Sequence, residues 1–244
     1  MKTNSRILLL TVLTLGLFTR CTVLSDNIKP SKNYITRNYK VKEFNKIDAS
    51  TVGNISFTQS ADKSCTLQIY GPDNIVSLIQ ASVKDNTLIL TTEKQNRIKN
   101  AGKIKISIIA PNLNAIHFKG VGDINIESEL STQSLEIESK GVGDIKLEAL
   151  NCKTLSVSSM GVGNIKLQGI AEKASLASKG VGDIEAENLK AASVEASSEG
   201  VGNISCYATE SLSASAKGIG SIKYGGSPKE KNIRKSGIGT IKAL

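Results

Sequence analysis

From Ile116 onward, apolar residues recur at fixed offsets from a pair of glycines. Four positions before the first glycine stand Ile116, Ile137, Val157, Leu176, Ala196, Ala214 and Ile233. Four positions after it stand Ile124, Ile145, Ile165, Ile184, Ile204, Ile222 and Ile241, and six after it Ile126, Leu147, Leu167, Ala186, Cys206, Tyr224 and Ala243. The residues between are mostly Lys, Glu, Asn or Ser, so hydrophobicity alternates with period two on both sides of the glycines. That is the pattern of strands with one buried face.

The glycine pairs are Gly120 and Gly122, Gly141 and Gly143, Gly161 and Gly163, Gly180 and Gly182, Gly200 and Gly202, Gly218 and Gly220, and Gly237 and Gly239. The first glycines are 21, 20, 19, 20, 18 and 19 residues apart. A near-constant period of this length is the signature of a stacked solenoid. The expected rung has two strands joined by a tight glycine corner and closed by a third, shorter side or loop. Parallel stacking at about 4.8 Å puts equivalent residues in ladders, with isoleucine in the core. Two glycines one residue apart imply positive φ at one or both. Ser139, Ser159, Ser178 and Ser198, two positions before the corner, are expected to turn inward and bond from rung to rung.

Ahead of the repeats, strands are expected at Phe44–Ile47, Asn54–Thr58, Thr66–Tyr70, Thr87–Thr92 and Lys103–Ile109. Ile75, Leu78, Ile79 and Val83 fit a short helix or helical turn between Pro72 and Val83, with Asp73 near its start. Residues 95–102 read as a polar loop. Val52-Gly53-Asn54-Ile55 copies the repeat phrase imperfectly, so the solenoid starts before Gly120, and its irregular first part serves as a cap over an open edge. The division is a leader at 1–20, a tether at 21–33, an irregular β-rich part at 34–119 and the regular solenoid at 120–244.

The Gly-Val-Gly-Asp/Asn-Ile repeats, following a β-rich segment and a lipoprotein-like leader, resemble the bacterial GIN-domain family, described as autotransporter-adhesin head domains. The resemblance covers roughly residues 40–244. It implies an all-β, right-handed parallel β-solenoid (β-helix) on the cell surface or in the periplasm, and it carries no functional residue onto this chain.

Lys2, Arg6 and the apolar run Ile7–Phe18 form a secretory leader, too short to span a bilayer comfortably. Cys21 follows it where bacterial lipoproteins are acylated; cleavage after Ser25 is the alternative. Losing residues 1–20 removes Lys2, Arg6 and Arg20 and lowers the net charge from +9 to +6. The remaining chain keeps only Arg37, Arg97 and Arg234, so nucleic acid is not an expected partner. Cys65, Cys152 and Cys206 are an odd set without a CxxC pair and read as free thiols.

The residue after the second glycine runs Asp123, Asp144, Asn164, Asp183, Asn203, Ser221 and Thr240. Such a row offers oxygen ligands for Ca²⁺, but these residue types also bond nearby backbone in turns, and that is the expectation. No cofactor, metal or catalytic site is expected, because the chain has one histidine, His117, and acids in a parallel stack approach one another whatever their role. Lys119, Lys140, Lys179 and Lys217 immediately precede corners and form a candidate stripe for an anionic glycan, with a solvated edge as the plainer alternative. The expected function is an exported, adhesin-like or scaffold β-solenoid, not an enzyme, facing a glycan or an envelope protein. The alternative is a carbohydrate-active β-helix enzyme. Membrane contact is expected only through an N-terminal lipid, and self-association through the C-terminal solenoid end, where three residues follow Ile241.

Overall fold

The computed structural model describes residues 27–93, 97–98 and 103–244. The leader, Cys21 and most of the expected 95–102 loop lie outside the described residues. In chain order the elements are β1 (Tyr34–Tyr39), β2 (Lys46–Ser50), β3 (Asn54–Gln59), β4 (Thr66–Pro72), α1 (Asp73–Val76), β5 (Ile79–Lys84), β6 (Thr87–Thr92), β7 (Lys105–Ala110), β8 (Ala115–Phe118) and β9 (Ile124–Ile126). Then follow β10 (Leu130–Ser139), β11 (Ile145–Ser159), β12 (Ile165–Ser178), β13 (Ile184–Ser198), β14 (Ile204–Ala216), β15 (Ile222–Gly225), β16 (Glu230–Lys235) and β17 (Ile241–Ala243).

The regular part is a parallel β-solenoid in which Ile124, Ile145, Ile165, Ile184, Ile204, Ile222 and Ile241 pair in sequence from rung to rung. All but the last are buried. In the rungs of β11, β12 and β13 the two expected strands are joined by a third, shorter strand side. In β11 the buried residues come as Ile145 and Leu147, then Leu150 and Cys152, then Leu155, Val157 and Ser159. Between these groups Glu148–Ala149 and Lys153–Thr154 are exposed in succession. Two neighbouring outward residues break the alternation, so the strand turns there without leaving its ladder. The pairing with β12 shifts register at the first of these bends. The closing side, expected to be shorter or a loop, is a short hydrogen-bonded strand side there, whereas residues 226–229 join β15 to β16 without strand.

The N-terminal part adds two rungs, stacked out of chain order. Leu88 of β6, Ile47 of β2, Ile116 of β8 and Ile137 of β10 make one parallel ladder; Ile106, Ile55, Ile124 and Ile145 make another. The Val52-Gly53-Asn54-Ile55 copy thus occupies a true corner. The open edge is covered by antiparallel strands: β4 on β7, β1 on β4, and β5 on β6. This cap is what an exposed strand edge requires.

Two expectations for this part change. Of the short helix or helical turn expected between Pro72 and Val83, the turn α1 forms with Asp73 at its start, but Ile79 and Val83 are not in it: Ile79–Lys84 is β5. Asp85 and Asn86 both have positive φ, 50° and 57°, in the two-residue turn between paired Lys84 and Thr87. That turn joins antiparallel strands and draws Ile79–Lys84 out of helix. Order also begins earlier than Tyr34. Ile28 N–H donates to the Arg97 carbonyl at 2.8 Å, and Asp73 accepts from Ser31 Oγ at 2.5 Å and Asn33 Nδ2 at 2.8 Å. These bonds hold the Asp73 carboxyl below its usual range.

The four serines do turn inward and are buried, but they do not bond to one another. Ser198 Oγ reaches the Gly202 carbonyl at 3.4 Å, and Ser178 Oγ has no partner. Rung spacing of about 4.8 Å exceeds hydrogen-bond reach unless a rotamer leans toward its neighbour. Ser211 does so on the outer surface, donating to Ser193 at 2.9 Å.

Candidate interaction surface

The glycine corners stack into one long edge. Their two glycines are needed for different reasons. Gly163 has φ 141°, a left-handed conformation that L side chains rarely adopt. Gly161 lies outside that region, but a Cβ there would run into the Gly141 carbonyl oxygen of the rung before. Close backbone stacking demands the first glycine, and torsion as well as stacking the second.

The residue between the glycines points out. Val121, Val142, Val162, Val181, Val201, Ile219 and Ile238 form one parallel bridge ladder and are 43% to 74% exposed. Their counterpart Val52, in the same ladder, is 2% exposed and belongs to the core, because N-terminal segments pack over it. Beside this aliphatic ridge runs a groove floored by glycine backbone and bordered by Lys140, Met160, Lys179 and Glu199. The sequence reading missed the ridge, although the signal was present: inward residues sit at even offsets from the first glycine and the valine at an odd one.

All four stripe lysines occupy the same position in their rungs, interrupted by Met160 and Glu199, and are exposed. Three have carboxylate neighbours. Lys140 pairs with Glu138, and Glu199 lies 4.0 Å from Lys179 and 3.7 Å from Lys217. The hydrogen bond from Lys140 holds the Glu138 carboxyl below its usual range. Lys119 has no ion pair among the described residues.

On the other flank, the Asp/Asn row bonds backbone, as its residue types suggest, but in the next rung and not in its own turn. Asn54 Oδ1 accepts from Asp123 N–H at 3.1 Å, Asp123 from Asp144 at 3.0 Å, Asp144 from Asn164 at 2.8 Å, Asn164 from Asp183 at 2.9 Å, Asp183 from Asn203 at 2.7 Å and Asn203 from Ser221 at 3.0 Å. The row continues as Ser221 Oγ accepting from Thr240 N–H at 3.1 Å. Asparagine alternates with aspartate because only an acceptor oxygen is needed. Among the described residues no three His, Cys, Asp or Glu side chains form a group that could hold a metal. Asp144→Ala is expected to cost about 1 kcal/mol in urea unfolding by orphaning the Asn164 amide, while Asp144→Asn leaves the midpoint almost unchanged. Equal losses in the two variants would refute the acceptor role.

The wall leading into the corner is paved with small hydroxyl residues. Ser156, Ser175 and Ser213 lie in one outward column with Glu195, and Ser158, Ser197 and Ser215 lie in the next with Ala177 and Arg234. His117 is on the same wall, its Nε2 3.9 Å from Glu136 Oε1. The described cysteines are free, and burial pushes the Cys152 thiol up to about 11 and Cys206 up to about 12, so both stay protonated and unreactive at neutral pH.

A family model described as "Putative auto-transporter adhesin, head GIN domain" matches residues 43–228. Among solved structures, the chain is similar to a putative adhesin from Bacteroides fragilis, with 60% identity and a TM-score of 0.87, covering 89% of this chain and 100% of that one. It also shares its fold with a putative lipid binding protein from Parabacteroides distasonis, at 24% identity and TM-score 0.69, covering 90% of this chain and 100% of that one. A putative adhesin from the same species has 20% identity and a TM-score of 0.66, with coverage of 90% and 100%. No curated protein matches the chain.

Proposed function

Because the chain belongs to the GIN-domain family of auto-transporter adhesin heads, we propose that it is an exported, non-enzymatic adhesive scaffold whose hydroxyl-paved wall presents a repeating array to a glycan. The observation that carries this reading is the pair of serine columns on the wall before the corner. Their short side chains leave the sheet flat, and each hydroxyl both donates and accepts, which suits a polyhydroxylated chain lying across the rungs. Single contacts of this kind are weak, and their repetition along a rigid stack supplies avidity. The basic leader with its apolar run supports export. The relatives' descriptions, adhesins and a lipid-binding protein, name no catalytic activity.

A glycan array probed with the full chain tests this reading. Binding to at least one glycan class is expected, together with its loss in a Ser156→Lys, Ser175→Lys, Ser213→Lys variant that still folds. Replacing Lys119, Lys140, Lys179 and Lys217 by alanine should leave that binding in place. If the lysine variant loses binding and the wall variant keeps it, the lysine edge and not the wall is the site. Absence of any glycan binding would reject the adhesive reading as stated.

A further inference from the structure

The corner edge carries a second pattern that the glycan reading does not use. At the first five corners the residue before the corner and the residue after it vary together; at the sixth, Lys217 is followed by Ser221, so the pattern covers three of the four lysines. Lys119 is followed by Asp123, Lys140 by Asp144 and Lys179 by Asp183. Where the lysine is missing, at Met160 and Glu199, the aspartate is missing too, replaced by Asn164 and Asn203. The ladder bond does not explain this, since aspartate and asparagine serve it equally. Nor does pairing within the chain: the carboxylates of Asp123, Asp144 and Asp183 form no ion pair among the described residues, and the lysines that are paired use Glu138 and Glu199. Lysine and aspartate stand on opposite flanks of the aliphatic ridge, two residues to either side of it.

We propose that this edge is the interface with a second copy of the chain, the two solenoids lying side by side, parallel and in register. A two-fold axis along the stack exchanges the flanks of facing edges, so Lys119, Lys140 and Lys179 meet Asp123, Asp144 and Asp183 of the same rung in the other copy, while Lys217 meets Ser221. A two-fold axis across the stack would instead set lysine row against lysine row, which like-charge contact disfavours. The shape agrees. The groove lies on the lysine side of the ridge, and the same axis seats the ridge of each copy in the groove of the other. Such self-complementarity is what an isologous dimer requires. A row of seven half-exposed or more exposed aliphatic side chains is also unusual on a monomer surface, and the fold buries the same position at Val52, where it has segments to do so. The Lys179–Glu199 contact, at 4.0 Å, is an exposed pair that holds little and exchanges readily for an intermolecular aspartate.

Sedimentation of the full chain over a wide concentration range tests the assembly. A reversible dimer is expected, weakened by salt and weakened about tenfold or more by the triple change Asp123→Asn, Asp144→Asn, Asp183→Asn. That variant keeps every acceptor of the ladder, so its fold, checked by circular dichroism, is preserved. Geometry is read by disulfide trapping in a Cys21→Ser, Cys65→Ser background. Val142→Cys and Val201→Cys, near opposite ends of the ridge, should each cross-link to themselves. Self-cross-linking at Val181→Cys alone would show an antiparallel pair and overturn the proposal. So would a monomer at every concentration, a dimer indifferent to the triple change, or a monomer whose ridge binds lipid vesicles or an extended apolar peptide.

Discussion

Gly163→Val is expected to cost more than about 4 kcal/mol and to abolish cooperative unfolding near the wild-type midpoint. The site adds two penalties. At φ 141° a β-branched residue is strained by about 1–3 kcal/mol before any contact is counted. Its Cβ would then stand 2.6 Å from the Gly143 carbonyl carbon and closer still to the oxygen. Rotating a side chain cannot relieve that, because the clash is with backbone. Nor can the rungs move apart cheaply: Val162 N–H donates to the Gly141 carbonyl and Gly143 N–H to the Val162 carbonyl, both at 2.9 Å, on either side of the clash. Ser175→Ala, on the outer wall of the same stack, should stay within about 0.5 kcal/mol of wild type. Urea and thermal melts of the two variants decide the matter. A Gly163→Val protein that melts within a few degrees of wild type would remove the stacking account of the corner.

The solenoid was legible because its two signals, glycine spacing and period-two burial, are local and repeated many times. Ile116 through Ala214 and Ile124 through Ile222 face inward as the alternation requires. Ile233 and Ile241, in the last described rung, are only partly covered, since their cover depends on a neighbouring rung and not on their own sequence. The N-terminal part was less legible for a related reason. That β6 stacks outside β2, placing a later segment before an earlier one, depends on pairing between residues about forty positions apart, which no periodicity records. Ile79–Lys84 has helix-compatible spacing and becomes strand because an unpaired β6 edge lies within reach of a two-residue turn. The candidate surface divides similarly. The positions of the lysines and of the Asp/Asn row were readable, but whether a carboxylate pairs with a lysine or accepts an amide from the next rung is decided by spacing across the stack. The exposed valines were overlooked because an apolar residue between two glycines reads as part of the turn.

The burial of the isoleucine ladder predicts a gradient along the stack. Ile184→Ala is expected to cost about 2–5 kcal/mol, the usual range for emptying a buried aliphatic site. Ile184 is fully buried between Ile165 and Ile204, so the cavity is walled above and below by rungs whose backbones are fixed in the parallel ladder and cannot collapse into it. Ile241→Ala, at the last described rung, removes a partly exposed side chain that pairs with Ile222, and should cost about 1 kcal/mol or less. In a structure whose units touch only their neighbours, stability is close to a sum of rung and interface terms. The two losses should therefore differ in kind as well as size: the central change weakens both flanking interfaces and lowers the whole transition, while the terminal change frays one rung. Joining Ile165→Ala to Ile184→Ala should give a loss different from the sum of the singles, because the two cavities merge. Denaturant melts read against amide exchange along the ladder test this. Equal costs at Ile184 and Ile241 would show that the core is not the rung-by-rung stack described.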